Sequence, residues 1–242
     1  MVEAFSIVLF AVLTTTLLVV RILYVISQTS KPIRKSSQKH LSTLVVLGSG
    51  GHTAEMINLL SVMQKDRFAP RFYIAAATDN MSLQKAHVFE EMLDDKTSLQ
   101  GPRDTQFMQI YRSREVGQSY ITSVGTTLLA LAHALWLMIK IRPQVILCNG
   151  PGTCIPICAI AFIFKVQVLA FWHFPGYVCL ELFQVLGIRW SYIFYVESIA
   201  RVKRLSLSGL LLYKLRMADQ LFVQWPQLQK QYPRAHYVGR LM

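Results

Sequence analysis

The stretch Leu44–Met56 reads LVVLGSGGHTAEM, an apolar run that breaks into Gly48, Ser49, Gly50 and Gly51 and leads into a helical pattern at His52 and Thr53. Such a turn aims backbone N–H groups and the positive end of a helix at one spot, which suits an anion, most often a phosphate. No lysine follows the glycines, so the loop lacks the residue an ATP-binding loop requires. Thr53 stands where the third glycine of a dinucleotide fingerprint belongs, so that ligand fits badly too. A second glycine turn lies downstream at Asn149-Gly150-Pro151-Gly152-Thr153, where Thr153 is placed to cap a helix that has Pro156 in its first turn.

These turns must be positioned by strands. Apolar runs at Leu44–Leu47, Phe72–Ala77, Phe107–Tyr111, Val145–Cys148, Tyr192–Val196 and Leu221–Gln224 alternate with helical patterns, including Ala54–Met63 and Val124–Ile141, the latter stopped by Pro143. The alternation predicts an α/β fold, a Rossmann-like parallel sheet with helices on both faces. Ligands of such sheets bind at the carboxyl ends of the strands. There the sequence gathers its polar residues: the Gly48–His52 turn, Asp79, Arg112-Ser113-Arg114-Glu115, the second glycine turn and Glu197-Ser198.

Composition adds a membrane. The chain of 242 residues is 53% hydrophobic and only 16% charged, where a soluble domain carries nearer a quarter charged residues. Residues 4–26 form an apolar segment with Arg21 near one end, long enough to span a bilayer core of about 30 Å. A cleaved signal peptide is the alternative, but no basic residue precedes the run. Lys31, Arg34, Lys35 and Lys39 follow it within a polar linker at 27–42, which predicts a lumenal end at 1–3 and a cytosolic domain at 43–242. Asn80-Met81-Ser82 is a glycosylation sequon, expected to stay bare on that side of the membrane. Cys148, Cys154, Cys158 and Cys179 have neither zinc-site spacing nor the look of a disulfide framework, so we expect buried thiols and no metal. The formal charge of +12 is concentrated after Glu197 and suits anionic lipid or a phosphorylated substrate; no nucleic-acid-binding motif is present.

In this order, the segments LGSGGHTAEM, RSREVGQS, CNGPGTCIP, YVESIARV, SLSG, VQWPQL and YVGRLM resemble a known family. It is the membrane-anchoring subunit of the two-part N-acetylglucosaminyltransferase that makes chitobiosyl-diphosphodolichol in asparagine-linked glycosylation. The resemblance runs from residue 44 to the last residue. It implies the N-terminal, acceptor-side half of a split two-domain (GT-B) transferase, similar to the first half of the bacterial enzyme that glycosylates undecaprenyl-diphosphate-muramyl-pentapeptide. About 200 residues after the linker make one Rossmann-like domain and not two, which suits such a split; the resemblance implies a soluble, donor-binding catalytic subunit as partner at the endoplasmic reticulum membrane, and no cofactor is expected.

On this resemblance, the acceptor diphosphate would be held by Gly48, Ser49, Gly50, Gly51 and Thr53, and by Asn149, Gly150, Gly152 and Thr153 of the second turn. Arg112 and Arg114 either grip that diphosphate, pair with a carboxylate or lie on a solvated loop. A base must take the acceptor hydroxyl's proton. His52 is one candidate, with mere orientation of the acceptor or capping of the helix as its alternatives. Glu197 is the rival, unless it pairs with Arg201 four residues on. Glu55 reads as an acidic residue suited to the helix dipole. Trp225, Tyr237, Gly239, Arg240, Leu241 and Met242 mix aromatic and arginine residues as interface centres do, and mark the expected docking edge. The apolar, aromatic stretch 158–187 departs from the family pattern as an insertion, either interfacial or disturbing to the domain. A self-contained oxidoreductase lacks its third glycine and a substrate domain; a pure recruitment scaffold with relic glycine loops stays open.

Overall fold

The computed structural model describes residues 2–29, 40–95, 105–113, 117–150, 152–171 and 190–241. Most of the basic linker, Arg114, Pro151, Cys179 with the rest of 172–189, and Met242 lie outside the described residues. A long helix, α1 (Val2–Gln28), comes first. The chain then alternates β1 (Thr43–Val46), α2 (Gly51–Val62), β2 (Arg71–Ala76), α3 (Asn80–Asp95), β3 (Gln106–Ile110), α4 (Tyr120–Ile141), β4 (Val145–Asn149) and α5 (Cys154–Phe171). It continues through β5 (Tyr192–Val196), α6 (Leu207–Lys214), β6 (Gln220–Val223), α7 (Pro226–Gln231) and β7 (His236–Tyr237).

The strands form one 7-stranded sheet in the order β3-β2-β1-β4-β5-β6-β7, and every pairing is parallel. The α/β, Rossmann-like sheet expected from the sequence is therefore observed. Its strand order reverses between β1 and β4, which pair directly from Thr43↔Val145 to Val46↔Cys148. Crevices open at such a reversal because the helices that follow the two strands leave to opposite faces. Alternation along β1 shows the two faces. Leu44 and Val46 join a core with Leu137 and Met138 of α4 and Ile157 and Ala161 of α5. Val45 and Leu47 join the opposite core with Met56 and Leu60 of α2 and Ala86 of α3. Burial on both faces is why these strands read as continuous apolar runs rather than alternating ones.

Residues 5–28 of α1 have a mean hydropathy of 2.3 and are long and apolar enough to cross a membrane. Phe5, Ile7, Val8 and Phe10 are largely exposed. The hydroxyls of Thr15 and Thr16 donate back to Ala11 O and Val12 O at 2.8 Å. That satisfies both hydroxyls within the helix. Helix α4 passes the same test of length and composition at 121–141, yet its Ala130, Ala134, Leu137 and Met138 are buried in the domain core. It starts earlier than the hydrophobic pattern suggests because Ser119 caps it, accepting from Thr122 N.

The first part of the apolar run at 158–187 is continuous with α5, a helix that the sheet buries. Cys158, Ala161 and Phe164 lie in its core-facing surface, and a fully buried side chain of Phe size contributes about 1.5–3 kcal/mol. Lys165, which interrupts the hydrophobic run, is itself fully buried and ion-paired with Asp219. Asp219 also accepts from Ile193 N at 2.7 Å, so this pair ties α5 to the edge of β5.

Candidate functional site

At the reversal point, β1 and β4 each run into a turn that only glycine tolerates easily. Gly50 has φ 66 and ψ −121, and Gly150 has φ 67; residues with a Cβ rarely adopt such angles. Helix α2 starts directly after Gly50 with no side-chain cap, which leaves first-turn N–H groups without intrahelical partners. Helix α5 starts across the crevice after Gly152 and Thr153. Between these turns lies a cavity of about 220 Å³ lined by Leu47, Gly48, Ser49, His52, Ala76, Asp79, Arg112, Ser113, Gly152 and Thr153. Two N-terminal helix ends, an arginine and a histidine thus face one space, an arrangement suited to an anionic group.

The two turns are locked together. His52 Nδ1 lies 2.9 Å from Asn149 Oδ1. A Cβ on Gly150 would fall 2.3 Å from His52 Cε1 and 2.6 Å from its Nδ1, so the ring rests against bare backbone. Asn149 Nδ2 donates to Glu55 Oε2 at 3.0 Å. Glu55 is 1% exposed and is the centre of a buried network. Its Oε1 accepts from Ser198 Oγ (2.9 Å) and Ile199 N (3.2 Å), and its Oε2 also accepts from Gln224 Nε2 (3.0 Å).

The residues singled out for anion binding therefore divide. Gly48, Ser49, Arg112, Gly152 and Thr153 line the cavity beside His52. Gly50, Gly51 and Gly150 shape the turns, and Arg114 lies outside the described residues. Thr53 and Asn149 face inward. Thr53 is fully buried, with its hydroxyl on Gly48 O and 2.7 Å from Ser82 Oγ, so it staples the first turn to α3. Asp79 does line the cavity, but its carboxylate caps α3: Oδ1 accepts from Ser82 N at 3.2 Å and Oδ2 from Ser82 Oγ at 2.7 Å. The serine of the sequon is accordingly buried beneath the site.

Glu197 does not line the cavity. Fully buried, it accepts from Ser198 N (3.1 Å) at Oε1 and from Ser206 N and Ser206 Oγ (both 2.9 Å) at Oε2. Burial pushes its carboxyl above the usual range, and the donors of Ser206 and Ser198 and the charge of Arg201 partly oppose the shift. The side chain holds the start of α6, where Ser206 caps Gly209 N at 3.1 Å. Cys148, Cys154 and Cys158 are buried, free thiols with Sγ atoms within 4.8 Å of one another. Sulfur contacts with Cys154 and Cys158, and then burial, push the Cys148 thiol up.

Part of the expected docking edge is assembled around the last strands. Trp225 Nε1 donates to Ile199 O at 2.7 Å, and the Arg240 guanidinium stacks over its ring at 4.6 Å. Tyr237 is half exposed on β7 at the sheet edge, and Gly239 turns the chain with φ 81. Leu241 folds back, its N donating to Gln224 Oε1 at 2.9 Å and its O accepting from Asn58 Nδ2 at 3.0 Å. Met242 lies outside the described residues.

Glu55 and Gln224 were missed as members of the site by reading the sequence. The available signal was a carboxylate beside Met56 on the buried face of α2, where a dipole-compensating acid would be expected to stay in water.

The family described as "Oligosaccharide biosynthesis protein Alg14 like" matches residues 43–241. The "UDP-N-acetylglucosamine transferase subunit ALG14" of Rattus norvegicus is 39% identical over 226 residues, 93% of each chain. The proteins of the same name from Homo sapiens and Yarrowia lipolytica are 40% identical over 209 residues (85% of each chain) and 39% over 228 residues (93% of this chain and 94% of the other). Among solved structures, MurG of Acinetobacter baumannii superposes with a TM-score of 0.48 at 14% identity, covering 83% of this chain and 44% of that one. The family match takes in both glycine turns, the buried Glu55 network and the folded-back tail, so the chain belongs to the Alg14-like family of oligosaccharide biosynthesis proteins.

Proposed function

We propose that this chain is the membrane-anchoring, acceptor-binding subunit of a heteromeric transferase. The reaction adds N-acetylglucosamine from its UDP donor to N-acetylglucosaminyl-diphosphodolichol, the second step of lipid-linked oligosaccharide assembly. The observation that carries this reading is the cavity between the two glycine turns, with His52 and Arg112 in its wall. The rat, human and yeast relatives, named as subunits of a UDP-N-acetylglucosamine transferase, support the reaction class and the need for a partner.

In this reading the acceptor diphosphate lies against the Gly48–Ser49 backbone and the first turn of α2, with Arg112 as counter-charge. The phosphate is held and not transferred, so the turn needs no lysine. Sugar transfer with inversion requires a base at the acceptor hydroxyl. His52 has that role, since it lines the cavity while Asn149 engages only its Nδ1. Glu197, enclosed by Ser198 and Ser206, has a supporting role. The donor arrives on a soluble catalytic subunit that docks along Trp225, Tyr237 and residues 239–242. Helix α1 anchors the chain in the endoplasmic reticulum membrane, with its N-terminus lumenal and the α/β domain cytosolic.

The test is transfer of labelled N-acetylglucosamine to N-acetylglucosaminyl-diphospholipid by membranes carrying this chain, with and without the candidate soluble partner. Activity should need both proteins and fall about 10²–10⁴-fold in His52→Ala, the usual contribution of a positioned base, while partner capture persists. Activity that survives His52→Ala would reduce the chain to a recruitment scaffold.

A further inference from the structure

The structure assigns to Glu55 the part of a positioning residue: through Asn149 it fixes which ring nitrogen of His52 carries the proton, and through Gln224 it links that setting to the C-terminal tail. The argument begins with the acceptor capacity of one carboxylate. Glu55 Oε1 faces the donors Ser198 Oγ and Ile199 N, and Oε2 faces Asn149 Nδ2 and Gln224 Nε2. A carboxylate oxygen in this setting only accepts, so both amides must turn their NH2 groups toward it.

Each amide then has one end left, and that end must accept. Asn149 presents Oδ1 to His52 Nδ1 at 2.9 Å. An amide oxygen cannot donate, so in the neutral ring Nδ1 bears the hydrogen and Nε2 keeps its lone pair. Gln224 presents Oε1 to Leu241 N at 2.9 Å, while its Nε2 also reaches Glu197 O at 3.1 Å. One buried carboxylate thus sets the sense of a hydrogen-bond chain running from Leu241 through Gln224, Glu55 and Asn149 to His52. The consequence for catalysis rests on the reading of His52 as the base, because only an unprotonated Nε2 can take a hydroxyl proton. The tautomer itself does not depend on that reading.

Glu55→Gln makes a directional test. Ile199 N–H cannot turn round, so the new amide keeps its oxygen on that side and offers NH2 to Asn149 and Gln224, of which Gln224 Nε2 retains Glu197 O as its acceptor. Asn149 must rotate to accept, which brings its Nδ2 to His52 Nδ1 and moves the ring proton to Nε2. Adding Asn149→Asp restores an acceptor toward both neighbours and should return the proton to Nδ1. The measurement is long-range 15N–1H correlation on 15N-histidine-labelled full-length chain in lipid nanodiscs, with the His52 signals identified by their loss in His52→Gln.

The wild type and the double variant should show the Nδ1–H pattern, and Glu55→Gln the Nε2–H pattern. In the partner-supplemented transfer assay kcat should fall about 10²-fold or more in the single variant and recover in the double, with KM for the donor little changed. Deleting residues 239–242 should shift the His52 ring resonances. A wild-type Nε2–H pattern, or an unchanged tautomer in Glu55→Gln, overturns the assignment. Unchanged His52 resonances after the deletion overturn the link to the tail. Normal turnover in His52→Ala would instead remove the proposed base and leave the tautomer result standing.

Discussion

Gly150→Ala tests the site where its geometry is tightest. The added Cβ would lie 2.3 Å from His52 Cε1, whereas ordinary contact begins near 3.4 Å. The ring must therefore withdraw by about 1 Å, a displacement that can cost about 10²-fold in rate when the moved group acts on the substrate. Backbone strain is added to this, because φ at Gly150 is 67 and a residue with a Cβ costs about 1–2 kcal/mol there. For a chain of this size that loss lowers Tm by roughly 2–8 °C. Gly50→Ala is the control. Its φ is 66, but nothing lies within 4 Å of the added Cβ, so it carries strain without collision. Thermal unfolding in detergent and the partner-supplemented transfer assay should lower Tm in both variants and reduce kcat/KM about 10²-fold only in Gly150→Ala. Wild-type turnover in Gly150→Ala would refute the reasoning. An equal loss in Gly50→Ala would trace the effect to the shape of the loops and not to the His52 ring.

Two further outcomes follow from buried charges. Lys165→Met leaves Asp219 buried beside Ile193 N without its ammonium partner, and breaking such a pair from one side costs about 3–5 kcal/mol; the denaturation midpoint should drop accordingly and partly recover in Lys165→Met/Asp219→Asn. Glu197 has a folded-state pKa raised by burial above its ordinary 4.5. Its contribution to stability is therefore full below about pH 4.5 and is lost as pH rises through the raised value. Glu197→Gln removes that titration, so the fall in Tm between pH 4.5 and 7.5 should be smaller in the variant than in the wild type. Equal falls would place the titration elsewhere.

How much of this was legible in the sequence follows from the range of each interaction. The strands were legible because a parallel strand buried on both faces must be apolar along its buried length, as β4 is from Val145 to Cys148. The turns were legible because glycines mark the angles that Gly50 and Gly150 adopt. Direction was harder. Thr53 has a side chain suited to a phosphate, yet its place on α2 turns the hydroxyl inward onto Gly48 O. Trp225 and Arg240 read as interface residues, but the sequence could not show them stacked on each other.

Glu55 was misread because local reasoning sees only its own helix, while its partners Asn149, Ser198 and Gln224 lie 94, 143 and 169 positions away. Topology nevertheless constrains them. Asn149 ends β4, Ser198 follows β5 and Gln224 follows β6, and the registers Asn149↔Val196 and Val196↔Phe222 bring these strand ends level. A parallel sheet thereby delivers three polar side chains to one buried place, where unmet hydrogen bonds are costly. One group able to accept from several donors resolves that frustration, and the N-terminal half of the helix after β1 is the element that reaches it. A carboxylate on the buried face there, three residues after the histidine, is thus a feature that strand order and polar strand ends jointly demand.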